Sequence, residues 1–265
     1  MQQFGLRLGA ATTNLINCGA FPQITIPAAG TWACWWLSTS QGSVAQRLMA
    51  KTSGAGPTMY MTHANAANNR VDFEIPRQST ILRALTEAAN FKANWTTRLG
   101  EPFFLAATYD TSSGLPKLYM GSLTLPPAEP SSYITQQLGT GTVNDTSANN
   151  FVIGNLAAGG VPLVGTMLWN FVSIAELTLA EIIRLWNVMA LNIVPRDFRG
   201  YVSSWRPGTN GTGLVIDESG RGNHGTISGA TLARNMTDLG RLGLCYRNLR
   251  FEGFRASKRF LLIPA

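Results

Sequence analysis

The chain has 265 residues, 45% of them apolar, which is enough for one large core, or a core with a small appendage, and excludes wholesale disorder. Only 13% are charged, about half the roughly 25% usual in globular domains, and 27 glycines with 13 prolines favour many turns over long helices. No apolar run approaches the roughly 20 residues that cross a bilayer as a helix, so no membrane helix is expected.

The first residues, Met1 to Arg7, lack a basic stretch followed by an apolar one, so no secretory signal is expected either. The three cysteines, Cys18, Cys34 and Cys245, show neither CxxC spacing nor histidine partners at zinc spacing. An odd count without a framework suggests reduced thiols made in a cytosol.

Most of the first 175 residues read as strands. Residues 31–38 (TWACWWLS) are aromatic and β-favouring. Their alternation turns at least one of Trp32, Trp35 and Trp36 away from the core, unless both faces are covered. Residues 57–62 alternate, with Met59 and Met61 on one face. Residues 71–75 do the same: Val71, Phe73 and Ile75 point in, Asp72 and Glu74 out. The stretch 79–97 has no glycine or proline and fits either a helix or a strand with a long loop. Residues 103–109 (FFLAATY) are apolar on both faces, as in a central strand, and a turn over 110–116 returns the chain as a strand at 117–120. Strands follow at 151–154 and 165–174. Thr178 and Glu181 then form a capping box, and Ile182, Leu185, Trp186 and Met189 give an apolar stripe at helical spacing, read as core. Many short strands and one late helix predict an all-β, antiparallel two-sheet sandwich of jelly-roll type.

The charge is uneven. Residues 241–265 hold Arg241, Arg247, Arg250, Arg255, Lys258 and Arg259 against the single acid Glu252, and so carry +5 of the net +7. Phe251, Phe254 and Phe260 interleave them. A segment both basic and apolar suits a groove with counter-charges on a protein neighbour. A solvated or self-packed end is the alternative, and nucleic acid the least expected partner.

Several motifs resemble a known family. Residues 105–110 (LAATYD), Gly114, 117–119 (KLY) and Gly121 look like the hairpin of laminin-G-like, concanavalin A-like jelly rolls. Residues 151–155 (FVIGN), Gly165-Thr166 and 177–182 (LTLAEI) are similar to the end of such a domain. Residues 217–226 (DESGRGNHGT) resemble its Asp-x-Ser-Gly-x-Gly-Asn-x-Gly-Thr loop. The order departs from the family pattern. That loop usually opens the domain after a Trp-bearing strand, whereas here 200–205 (GYVSSW) and the loop follow the helix. Either the domain is permuted or a second, truncated unit begins. The expected organisation is a sandwich over 1–195, a late strand and Gly-rich loop completing or extending it over 196–240, and an extended C-terminal arm over 241–265.

Glucanases on this fold use a Glu-x-Asp-x-Glu strand, because two carboxylates must flank the glycosidic bond. Here Arg70 stands at the first acid position before Asp72 and Glu74, which read as solvated. There is no Gly-x-Ser-x-Gly, and the only histidines are His63 and His224. We therefore expect no enzyme, no cofactor and no metal; the loop at Asn144-Asp145 and Asn149-Asn150 offers one carboxylate, too few for calcium. Asp217, Gly220, Gly222, Asn223, His224 and Gly225 are expected to form a structural loop. The partner-binding arm comprises Arg247, Arg250, Phe251, Phe254, Arg255, Lys258, Arg259 and Phe260. For glycan stacking, Trp95, Trp169 and Tyr133 are candidates, with core roles favoured. Laminin-G-like domains are widespread in phage structural proteins. The resemblance thus implies a virion subunit, a capsid decoration or tail protein, whose partners are other virion subunits and copies of itself. A carbohydrate-binding adhesin for host glycans is the alternative.

Overall fold

The computed structural model describes residues 5–8, 13–24, 28–38, 46–52, 59–63, 70–87, 90–91, 101–112, 114–157, 159–205, 213–229 and 231–233. The strands are β1 (Gly5–Leu8), β2 (Leu15–Asn17), β3 (Ala29–Ser38), β4 (Gln46–Thr52), β5 (Met59–His63), β6 (Arg70–Ile75), β7 (Leu82–Glu87) and β8 (Pro102–Asp110). They continue with β9 (Lys117–Ser122), β10 (Thr135–Gln137), β11 (Asn150–Ile153) and β12 (Gly165–Ser173). After the helix α1 (Leu179–Ala190) come β13 (Tyr201–Trp205), β14 (Leu214–Val215), β15 (Gly225–Ser228) and β16 (Thr231–Ala233).

Two antiparallel sheets result. One runs β16-β1-β12-β3-β8-β9, with β13 beside β12; the other runs β10-β7-β6-β5-β4-β11-β2-β15-β14. The molecule is an all-β jelly-roll sandwich with one helix, as the strand pattern predicts. The undecided stretch after residue 79 contributes the strand β7; the arm after residue 240 and Trp95 lie outside the described residues.

Alternation places the apolar residues. Trp32, Cys34 and Trp36 of β3, Met59 and Met61 of β5, Val71, Phe73 and Ile75 of β6, and Phe151 and Ile153 of β11 meet in one core between the sheets. Trp32 packs edge-on against Phe73 and Phe151, with ring centroids 5.7 and 5.3 Å apart. The other face of the seven-stranded sheet is apolar too, and α1 covers it. Ala33, Trp35, Phe104, Phe171 and Trp169 pack there against Ile182, Leu185, Trp186 and Met189. Each large side chain so buried contributes roughly 1.5–3 kcal/mol. This second layer explains three tryptophans within one strand, because both faces of β3 are covered. A register shift between Met167 and Trp169 against Trp36 and Trp35 lets β12 present both tryptophan-bearing layers.

The helix begins as its sequence dictates. Thr178 Oγ1 accepts from the Glu181 amide at 3.4 Å, and Glu181 Oε2 accepts from the Thr178 amide at 2.8 Å. Trp186 Nε1 donates to the Ser122 carbonyl at 3.0 Å, fixing the helix over β9.

The late segment joins both sheets. β13 pairs with β12, β15 pairs with β2, and β16 pairs with β1. The Gly-rich loop between β14 and β15 thus closes the same sandwich that the first strands build.

Candidate functional site

The glycine-rich loop is organised around Asp217, which is 2% exposed. Its Oδ1 accepts from Ser203 Oγ at 2.5 Å, the Ser204 amide at 3.4 Å and the Ser219 amide at 3.0 Å. Its Oδ2 accepts from Ser219 Oγ at 2.6 Å and the Asn223 amide at 3.1 Å. The Asp217 amide donates to His224 Nδ1 at 3.1 Å, and Trp205 Nε1 donates to the Asn223 carbonyl at 2.6 Å. The carboxylate is saturated by donors from its own loop and from β13, which leaves it no lone pair for a reacting group. Gly220 and Gly222 have φ of +77° and +79°. Gly225 differs: it is needed for space, since a Cβ there would lie 2.3 Å from Ile16 Cγ2.

The corner considered for calcium is filled by a lysine. Lys51 is buried on β4, and its ammonium donates to the carbonyls of Ala20, Phe21 and Asn149. Burial lowers its pKa to about 8, against the opposing charge of Asp145. Asp145 itself caps the turn to Ser147, accepting from that amide at 2.7 Å.

Neither described glycan-stacking candidate presents an open ring. Trp169 is buried under α1. The Tyr133 hydroxyl accepts from the Leu118 amide at 2.9 Å and donates to Glu129 at 3.1 Å. Glu129 faces a cleft of about 360 Å³ at the start of α1, together with Lys117, Tyr119, Glu176 and Leu179.

The other face of the sandwich holds a more concentrated group. On β4 to β7 the inward residues are mostly apolar, with Lys51 and Thr86 among the exceptions, and the outward ones include Arg47, Tyr60, Thr62, Arg70, Asp72, Glu74, Arg83 and Leu85. All of these but Glu74 line a cavity of about 190 Å³. Asp72 and Glu74 point outward as their alternation requires, yet they are not solvated: each side chain is only 13% exposed. Arg83 holds both. Its Nε and Nη2 reach Asp72 at 3.1 and 2.7 Å, and Nε lies 3.0 Å from Glu74. Burial raises the Glu74 pKa despite this pairing, and the hydrogen bond to Asp72 raises that of Arg83. Burial, reinforced by the charges of Asp72 and Glu74, raises the Tyr60 phenol well above its ordinary value.

Tyr60 rests on an apolar bed of Leu15, Ala50 and Val152. The Arg47 guanidinium stacks over its ring, 3.4 Å from the centroid, and donates to Thr62 Oγ1. Sequence reading passed over Tyr60 and Arg47, whose partners lie on neighbouring strands. The available signal was the register: Tyr60 sits between Met59 and Met61, so it must face outward.

No protein-family model matches the chain, and no curated protein does. Solved structures do. A Bacteroides ovatus protein inferred to bind carbohydrate superposes with a TM-score of 0.55 at 15% identity, over 87% of this chain and 59% of its own. The chain therefore spans less than two thirds of that protein's length. The carbohydrate-binding module, CBM40, of the Ruminococcus gnavus IT-sialidase, in complex with α2,3-sialyllactose, gives 0.46 at 14%, covering 68% and 96%. The enzymatically active domain of tailspike protein 2 from bacteriophage CBA120 gives 0.49 at 14%, covering 69% and 27%. At these identities the likeness defines the fold alone, a jelly-roll sandwich. The comparisons do not show the laminin-G family that the hairpin and loop motifs resemble.

One expectation is corrected. The absence of an enzyme was argued from Arg70 in place of an acid, but the similar structures include a module of a sialidase and the enzymatically active domain of a tailspike. The substitution bears on one glucanase strand pattern only, and the exclusion is withdrawn.

Proposed function

We propose that this chain is a carbohydrate-binding jelly-roll module whose site is the groove on the outer face of β4 to β7. The carrying observation is the groove itself: a tyrosine ring on an apolar bed, ringed by guanidinium, carboxylate and hydroxyl groups around a cavity of about 190 Å³. Sugars present dense hydroxyl groups, so they are recognised by fixed donors and acceptors, and the Tyr60 ring, one face of which the Arg47 guanidinium covers, holds that guanidinium in place. The likeness to a protein inferred to bind carbohydrate supports the reading. The test is a glycan panel with the purified full chain, followed by calorimetry on any hit. Binding that falls at least tenfold in Tyr60→Ala, with the thermal midpoint monitored, is the expected result. Absence of binding across neutral and acidic glycans would overturn it.

A second reading rests on a separate observation, the concentration of +5 of the net charge in residues 241–265. We propose that this segment docks the module onto neighbouring subunits of a phage particle, in its tail or on its capsid, including copies of itself. Surface ion pairs are worth only about 0–1 kcal/mol each. Phe251, Phe254 and Phe260 must therefore provide most of the docking energy, with Arg247, Arg250, Arg255, Lys258 and Arg259 selecting an acidic partner. Deleting residues 241–265 should give a folded chain that no longer joins its assembly. Normal incorporation of the shortened chain would refute the docking role.

A further inference from the structure

The lining of the groove holds three guanidiniums, Arg47, Arg70 and Arg83, against one carboxylate, Asp72. Arg83 is committed to Asp72 and Glu74. The register sets Arg70 opposite Glu87 on the neighbouring strand. Arg47 has neither arrangement. Among the described residues no carboxylate lies within ion-pair distance of it, and its buried Nε finds no acceptor. What holds Arg47 is the Tyr60 face below it and the Thr62 hydroxyl beside it. A desolvated guanidinium edge without an acceptor is costly.

We propose that Arg47 is the specificity-determining residue of the groove and that the ligand is an acidic sugar, whose carboxylate pairs with the Arg47 guanidinium. This rests on the carbohydrate-binding reading and names its substrate class. Three features point the same way. A guanidinium presents its donors in a planar fork that matches a carboxylate. Stacking on Tyr60 fixes that plane before the ligand arrives, so little side-chain entropy remains to be lost. Arg70 lines the same cavity, while Asp72, held in place by Arg83, supplies an acceptor for sugar hydroxyls. The apolar bed under Tyr60 keeps the ring from moving when the guanidinium is loaded.

The experiment compares matched oligosaccharides on the full chain: one carrying a uronic or other sugar carboxylate, its methyl ester or reduced neutral analogue, and a sulfated analogue. Calorimetry should show the carboxylate form binding at least tenfold more tightly than the neutral analogue, with affinity falling as salt rises. The sulfated analogue, lacking the planar match, should bind more weakly than the carboxylate. Arg47→Gln should erase the preference for the acidic form. Arg47→Lys, which keeps the charge and loses the fork, should restore only part of it and guards against a folding defect in the glutamine variant. Equal affinity for the acidic and neutral forms, or an unchanged preference in both variants, would overturn the role of Arg47 and leave carbohydrate binding standing. A preference for the sulfated form would overturn the carboxylate assignment. No binding to any of the three would overturn the carbohydrate reading as well.

Discussion

Replacing Asp217 with alanine should be among the most damaging single changes in the chain. Five hydrogen bonds end on its carboxylate, four of them at 3.1 Å or less. Hydrogen bonds to a charged group contribute about 1.5–3 kcal/mol each, but they are not additive, and the unpaired charge itself costs something to bury. Alanine removes the acceptor and strands the Ser203 and Ser219 hydroxyls with the Ser204, Ser219 and Asn223 amides. The net loss should be about 3–5 kcal/mol, the range seen when one partner of a buried polar network is deleted. Asparagine separates the contributions. It keeps the Oδ1 acceptor for Ser203, Ser204 and Ser219, but sets an amide donor against the Asn223 amide, so its loss should be about 1–3 kcal/mol, one unmatched buried donor. Urea unfolding, read by tryptophan fluorescence with the slope checked for constancy, measures both. A chain of this size should also lose on the order of 10 °C in its midpoint for alanine. The reasoning fails if Asp217→Ala costs under about 1 kcal/mol, or if Asp217→Asn is as damaging as alanine.

Three further outcomes follow from neighbouring geometry. Gly222→Val should cost about 1–2 kcal/mol through its positive φ alone, since the space around it is open, whereas Gly225→Ala should cost about 1–3 kcal/mol through the clash with Ile16; equilibrium unfolding of both variants checks this, and an unchanged stability in either would refute the reasoning for that position. Lys51→Met should destabilise by about 2–4 kcal/mol, because the carbonyls of Ala20, Phe21 and Asn149 lose their shared donor in a buried corner; a neutral result in thermal unfolding would show that water replaces the ammonium. The Arg199 hydrogen bond, followed by the contacts from Thr178, lowers Glu181 to about 2 from an ordinary 4.5, so its contribution is complete above pH 4.5 and is lost as pH falls through 2. Because Arg199 is largely exposed, that contribution is about 1 kcal/mol or less; the stability gap between the native chain and Arg199→Met should close on acidification, and a gap that widened would refute the sign.

Local pattern carried most of the fold. The alternation in β6, the capping box of α1 and its apolar stripe are short-range features, and each appears in the structure where its residues demand it. The partner strands of β3 were not legible, because a strand apolar on both faces could lie in the middle of any sheet. Only the pairing of β12 and β8 against it, and α1 across it, explains Trp35. The groove was less legible still. Asp72 and Glu74 could be placed on an outward face, but not paired, since Arg83 is eleven residues away in sequence and adjacent only through the β6–β7 register. Arg47 and Tyr60 belong to two further strands. A site assembled across four strands leaves no contiguous motif, which is why the family-like loop at Asp217 stood out in the sequence and the groove did not.

The location of that groove also bears on why it exists. The seven-stranded sheet turns its second apolar face to α1, so its inner strands are buried on both sides. Among the described residues no helix covers the nine-stranded sheet over β4 to β7, and its outward residues could have been threonines and lysines, which satisfy a solvated strand face at little cost. Instead, in a chain with only 13% charged residues, three arginines and three acids are gathered on four adjacent strands and held at partial burial. Partial desolvation of charge is not repaid by stability: a hydrophobic replacement of comparable volume is often neutral or better. A sequence under selection for the fold alone would not keep this arrangement. Selection for a ligand would, because groups that are expensive to hold in place are the ones that discriminate when a complementary ligand displaces the remaining water. If that is so, replacing Arg83, Asp72 and Glu74 together with Leu, Thr and Val should raise the unfolding midpoint while abolishing glycan binding. A triple variant that lost stability together with binding would show that the charges serve the sandwich itself.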